Sequence, residues 1–280
     1  MQNKLNFVFW GTPDVASETL EILKQNGFIP SLIVTSPDKP KGRKMIVAPP
    51  PTKIWAKENN IPYLQPEKLD EEFAKKLSAT SYKLFIIVAY GKIIPENIID
   101  MPELGSLNIH YSLLPKYRGA SPVESAVLEG DTVTGVTIQK MKFAMDSGPI
   151  IAQEKTEILS DETARDLRSR LIRLGGELLV KTLPKYTKGN MKAVPQDENR
   201  ASYCKKIKKE DGLLDLDESA VKNYNKFRAY AVWPRSFFFK DGKRVIITDA
   251  SLEDNRFIIK KVLPEGKKEI KYEDFLKVTL

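Results

Sequence analysis

His110 is the only histidine in 280 residues, and Asn108 stands two positions before it in "SLNIHYSLLPKYRGASP", residues 106–122. Histidine's unperturbed proton equilibrium lies nearer neutral pH than that of any other side chain, so this one imidazole is a candidate for proton chemistry. If the apolar run before it is a β-strand, residues two apart project from the same side, and Asn108 sets an amide donor beside the ring. An amide and a proton carrier side by side suit a reaction in which an oxygen gains negative charge while a nucleophile loses a proton. A surface or satisfied core histidine, with Asn108 as a strand-end cap, is the competing reading of the same two residues.

These side chains need a scaffold, and the surrounding pattern supplies one. Leu5 to Trp10 is apolar, Gly11-Thr12-Pro13 follows, and in "DVASETLEILKQNG" Val15, Leu20, Ile22 and Leu23 fall on one helical face. Thr12 is the expected N-cap with Pro13 at the first helical position, and Asn26-Gly27 is the expected stop. Ile29 to Thr35, "PTKIWAKENN", "DEEFAKKLSAT" and "LFIIVAY" continue an alternation of apolar strand and helix. Strands that are apolar throughout, interleaved with helices, predict a doubly wound, mostly parallel α/β sheet, Rossmann-like in layout and covered on both faces. The first turn, "FWGTPD", has one glycine, so the dinucleotide fingerprint is absent. In such sheets ligands bind outside the carboxyl ends of the strands, and "GSLNIH" ends at His110. "TGVTIQKM" and "PIIAQEKTEI" read as two further strands joined by "KFAMDSG", in which Asp146-Ser147-Gly148 makes a tight turn. After Ser160-Asp161 a long helix carries a core-packing stripe of Leu167, Leu171, Leu174, Leu178 and Leu179.

Beyond Thr187 the text is polar and turn-rich, then "SAVKNYNKFRAY" reads as a helix and "SFFFK", "KRVIITDA" and "RFIIKKVL" as short strands. The expected organisation is a first domain over 1–187, a linker over 188–204 and a small β-rich, OB-like domain over 205–280. A single cysteine, Cys204, excludes an internal disulfide, and with one histidine it leaves too few soft ligands for a structural zinc, so no metal is expected. The N-terminal apolar run passes straight into a turn, without the pattern of a signal peptide. The longest apolar stretch, Leu84 to Gly91, is far below the ~20 residues that span a bilayer, so a cytoplasmic protein without a membrane partner is expected.

Of the formal charge of +8, a net +5 falls in residues 201–280, where 18 Lys and Arg face 13 Asp and Glu. Residues 35–53, "TSPDKPKGRKMIVAPPPTK", hold five basic residues, one acid and five prolines, in a connection too long for an ordinary strand-to-helix link. A basic loop of this kind either grips a large anionic substrate or is a solvated flexible segment.

The segment N-x-H-x-S-L-L-P, followed after a spacer by Asp146-Ser147-Gly148, resembles the signature of the folate-dependent formyltransferases. "GTPD", "TSPDKPKGR", "IVAYGKIIP", "TGVTI" and "QDENRASYCKKIKKEDG" are similar, in order and spacing, to the methionyl-tRNA formyltransferases of that family, from residue 5 to about 250. The resemblance implies that a formyl group passes from 10-formyltetrahydrofolate to the α-amino group of initiator methionyl-tRNA; a monomer is the expected state. It assigns Asn108, His110 and Asp146 to catalysis, and Val88, Tyr90, Ser112, Leu113, Leu114 and Pro115 to the folate. Arg43 and Lys44 match the tRNA-gripping loop, and Lys205, Lys206, Lys208, Lys209, Lys243, Lys260 and Lys261 would add phosphate attraction. Domain 1–187 would be the catalytic domain and 205–280 a shortened tRNA-binding one. Asp146 at the edge of the same sheet would relay a proton or orient the imidazole. Tyr111, where the family has a small residue, sets a bulky ring next to His110 in the chain. A nucleotide-sugar N-formyltransferase, using the same folate donor and the same three residues on a sugar amine, is the alternative; it has less need of the basic loop and of "KKIKKEDG".

Overall fold

In the computed structural model, which describes residues 5–42 and 45–278, seven strands form one sheet. Their order is Ile150–Glu157, Val133–Lys140, Ser106–His110, Leu84–Val88, Phe7–Gly11, Leu32–Val34 and Tyr63–Leu64. The last five run parallel, and Val133–Lys140 runs antiparallel to Ser106–His110. The reason for a parallel sheet lies in the strands themselves: "FVFWG" and "LFIIV" are buried along their whole length, which requires cover on both faces. On one face Val8, Trp10, Val34, Phe85 and Ile87 pack with Phe73, Leu77 and Ile98. Trp10 meets Phe73 and Tyr90 edge-on at centroid distances of 6.0 and 5.2 Å, a geometry worth about 0.5–1.5 kcal/mol per pair beyond area burial.

The first helix spans Asp14–Gln25, one residue later than its signals suggest, and Pro13 itself is the cap, with no side-chain cap bond. Thr12 does not cap. Its hydroxyl donates instead to the Tyr90 carbonyl at 3.0 Å and lies 3.1 Å from Ser36 Oγ, because the ends of neighbouring strands offer partners that a local cap cannot match. Where no such competitor stands near, the local rule holds: Asp70 caps Glu71–Ser78 by accepting from Phe73 N at 3.0 Å. The basic connection after Leu32–Val34 is not open coil. Lys39–Lys41 pairs with Ile46–Ala48 in a hairpin, and Asp38 binds Lys53 at 2.7 Å.

The chain divides into two compact units. One comprises Met1–Arg118, Gly135–Glu154 and Leu171–Ala201, and the other Gly119–Thr134, Lys155–Arg170 and Ser202–Leu280. In the second, Phe237–Lys240, Lys243–Glu253, Arg256–Pro264 and Ile270–Lys271 form an antiparallel sheet in chain order. Its core is Leu214, Phe238, Val245, Ile247, Val262 and Phe275. The last strand and the helix Tyr272–Val278 are not among the expected elements, yet Phe275 completes this core. Lys260 and Lys261 pair with Glu253 and Glu269 at 3.2 and 3.9 Å, which offsets part of the positive charge there.

Candidate active site

Ser106–His110 ends at the imidazole, at the carboxyl end of a parallel strand, where open α/β sheets bind their ligands. Leu107 and Ile109 take the buried apolar side, and Asn108 and His110 take the other. In the antiparallel neighbour Gln139 stands opposite Asn108 and Thr137 opposite His110, so four polar side chains share that side. The alternation of polar and apolar residues in "TGVTIQK" is the sequence signal that could have found Thr137 and Gln139.

The His110 ring is 5% exposed, and its Nε2 lies 2.8 Å from the carbonyl of Tyr117. A carbonyl only accepts, so Nε2 carries a proton, and in the neutral ring Nδ1 holds the lone pair. Nδ1 faces Asp146 Oδ2 at 3.6 Å, too long for a hydrogen bond and within reach of an ion pair. A proton taken up at Nδ1 therefore meets a carboxylate, an attraction on the order of a few kcal/mol before desolvation. Asp146 lies in the left-handed region at φ +49°, and its Oδ1 accepts from Gln139 Nε2 at 2.8 Å. The partly exposed Asn108 amide makes no hydrogen bond among the described residues, so its donors are open to a ligand.

The loop after His110 is held by one buried hydroxyl. Thr137 Oγ1 donates to the Ser112 carbonyl at 2.7 Å and accepts from Leu114 N at 3.1 Å and from Gln153 Nε2 at 2.8 Å. Gln153 also donates to the Leu114 carbonyl at 2.8 Å, and Ser112 Oγ to that of Lys116. The Leu114–Pro115 peptide is cis. Ser112 and Leu114 are buried, and Leu113 and Pro115 are half-buried. Val88, fully buried, ends the neighbouring parallel strand. Tyr90 follows it, but its ring sits in the core against Trp10 and burial pushes its hydroxyl up to about 12, so the segment offers a ligand its backbone and not that ring.

Tyr111 does not crowd the imidazole. A Cβ on Gly175, in the long helix Ala164–Tyr186, would stand 3.0 Å from Ile109, 3.2 Å from Val136 and 3.4 Å from the Tyr111 ring. The ring thus shares the helix-covered side with Ile109 and Val136, away from His110. The predicted linker contributes too: Gln196 Nε2 donates to the carbonyls of Asp146 at 2.8 Å and Gly148 at 2.7 Å. Arg118, 1% exposed, donates to Gln196 Oε1 and to both carboxylate oxygens of Glu198, and holds Glu198 below the usual carboxylate range. Arg118 and Gln196 lie in the quoted segments "SLNIHYSLLPKYRGASP" and "QDENRASYCKKIKKEDG", but nothing local marks them as partners, since they lie far apart along the chain. Arg43 and Lys44 lie outside the described residues. Among the described residues no group of three or more His, Cys, Asp or Glu could hold a metal, and no helix is long and apolar enough to cross a membrane.

Comparison with known proteins shows the family. Residues 3–183 match the family model described as formyl transferase, and residues 206–258 the one described as formyl transferase, C-terminal domain. A methionyl-tRNA formyltransferase of Caldicellulosiruptor saccharolyticus is 40% identical over 251 residues, 89% of this chain and 80% of that protein. That of Halalkalibacterium halodurans is 33% identical over 98% of this chain and 94% of its own. Among solved structures, an N-formyltransferase from Helicobacter canadensis, in complex with folinic acid and dTDP-3-aminofucose, superposes with a TM-score of 0.66 at 20% identity, covering 89% of each chain; at that distance the likeness is one of fold alone. A strand-end imidazole facing a carboxylate, an open amide beside it and sequence likeness across both parts of the chain together place this protein in the formyl transferase family.

Proposed function

We propose that the chain transfers the formyl group of 10-formyltetrahydrofolate to the α-amino group of initiator methionyl-tRNA. The observation that carries the reading is the His110 Nδ1 to Asp146 Oδ2 approach of 3.6 Å at the strand end, with the Asn108 amide on the same side. An α-amino group has a reference pKa of ~7.7–8.0, so a useful neutral fraction exists near pH 7 without a strong base. Its nitrogen attacks the formyl carbon and the carbonyl oxygen becomes an oxyanion, to which Asn108 donates. The nitrogen's proton passes to His110 Nδ1, and the imidazolium is stabilised by Asp146 while Tyr117 keeps the ring in place. The bond from carbon to the folate nitrogen then breaks, and that nitrogen takes the proton, leaving tetrahydrofolate and formylated aminoacyl-tRNA.

Relatives of 33% and 40% identity over most of the chain support a tRNA acceptor, whereas the protein holding an amino-sugar nucleotide is alike at fold level. The folate is assigned to the sheet edge at Val88, the backbone at Tyr90 and the 112–115 loop, and the tRNA to the loop bearing Arg43 and Lys44. Residues 1–187 are assigned as the catalytic domain and 205–280, beyond a linker, as a tRNA-binding one. The cytoplasm is the expected compartment, and a monomer the expected state, which sedimentation tests. Purified protein should formylate methionyl-tRNA, and His110→Ala and Asp146→Ala should each lower turnover by roughly 10²–10⁴-fold with charged-tRNA binding retained. Formylation of an amino-sugar nucleotide with charged tRNA untouched would reverse the choice of acceptor. Unimpaired turnover in either variant would remove that residue from the reaction.

A further inference from the structure

The 3.6 Å gap between His110 and Asp146 means that the imidazole does not itself clamp the carboxylate. Other groups must set its position, and two glutamines do so. Gln139, 2% exposed, places Nε2 on Asp146 Oδ1 at 2.8 Å, and its own Oε1 is buried without a hydrogen-bond partner among the described residues. That amide commits its donor to orienting the carboxylate and tolerates an orphaned acceptor to do it. Gln196 acts on the backbone of the same turn, through the carbonyls of Asp146 and Gly148. Its orientation is forced. Arg118 donates Nε at 3.0 Å and Nη2 at 2.8 Å to Gln196 Oε1, and a guanidinium has no acceptor, so a flipped amide would face donors with donors and carbonyls with an oxygen. Glu198 fixes the other edge of Arg118 at 2.8 Å on both oxygens. The turn being held has Asp146 in the left-handed region at φ +49°.

We propose that Gln139 and Gln196 are positioning residues of the formyl-transfer reaction: Gln139 sets the rotation of the Asp146 carboxylate, and Gln196, locked by Arg118, sets the backbone that carries it. This inference rests on the reading of Asp146 as the group that receives the imidazolium. In this role each glutamine acts on turnover through Asp146 and not on the affinity for either substrate.

Two variants separate the amide donors from the packing. Gln196→Glu keeps the acceptor for Arg118 and removes the donors to the two carbonyls; Gln139→Met keeps length and volume and removes the donor to Asp146. In the formylation assay on full-length protein, each should lose roughly 10- to 100-fold in kcat, because displacements approaching 1 Å at a proton-transfer site cost about that much. KM for folate donor and for methionyl-tRNA should stay within about threefold of the parent, as expected when only transition-state interactions are removed. A folded variant of either kind with kcat within about threefold of the parent overturns the proposal for that glutamine, and losses shared between kcat and both KM values overturn it as well. Failure of both to fold makes the amides structural and ends the proposal. Asp146→Ala is run alongside: if it turns over normally, the proton-relay reading itself fails, whatever the glutamine variants do.

Discussion

Replacing Gly148 by alanine puts a methyl group where the hairpin has no room. A Cβ built there lies 1.8 Å from the Lys140 carbonyl oxygen and 2.9 Å from its carbon, both backbone atoms of the adjoining strand, which cannot rotate away. Reaching the 3.4 Å of ordinary contact requires a displacement of about 1.6 Å at the base of the Asp146 turn. The Lys140 N–H to Pro149 carbonyl bond, 2.9 Å, spans the same junction and would be stretched or broken. Breaking that bond and shifting the backbone together should lower stability by about 2–4 kcal/mol. The larger consequence is at the site. Asp146 lies two residues away, and moving its carboxylate by even half that displacement leaves the imidazolium without its counter-charge, so kcat should fall roughly 10²-fold. The assay is steady-state formylation of methionyl-tRNA with both substrates varied, run beside a denaturant titration. A cooperatively folding Gly148→Ala protein with kcat within about threefold of the parent would refute the claim that turnover depends on the geometry of this turn.

Thr137→Val preserves shape but deprives Leu114 N–H and the Ser112 carbonyl of their buried partner, and should cost about 2–4 kcal/mol in a urea titration, with the 112–115 loop loosened. The Arg118 guanidinium holds Glu198 below the usual carboxylate range, so the stability from this pair is fully present above the unfolded glutamate value of ~4.3 and is lost as pH falls through the folded one. Melting curves of the parent and Glu198→Gln should therefore differ at pH 6 and converge as pH falls through the lowered carboxyl value; curves that stay parallel through the acid limb would deny the pair any role in stability. Arg43→Ala should weaken tRNA binding and reduce its salt dependence by up to about one unit of log–log slope for each phosphate it no longer neutralises, and an unchanged slope would take the loop out of the interface.

Some of this molecule is local in origin and can be read from the residues in order. Runs such as "FVFWG" and "LFIIV" are apolar over their whole length, and burying a strand on both sides leaves a covered parallel sheet as the solution. Strand alternation likewise puts Asn108 and His110 on one side, because a period of two is a property of the backbone and not of its neighbours. Family likeness singled out Asp146, and the fold sets its Oδ2 3.6 Å from the imidazole Nδ1. What the tertiary structure alone decided are matters of choice between partners. Thr12 carries a capping hydroxyl in its sequence context, yet it bonds to Tyr90, 78 residues away. Tyr111 turns its ring toward Gly175, where the long helix leaves space for it. Gln196 and Arg118, also 78 residues apart, carry no mark of each other. A residue's type sets which bonds it can make, but which it does make depends on the groups that folding brings within about 3 Å, and that proximity is written nowhere in the local sequence.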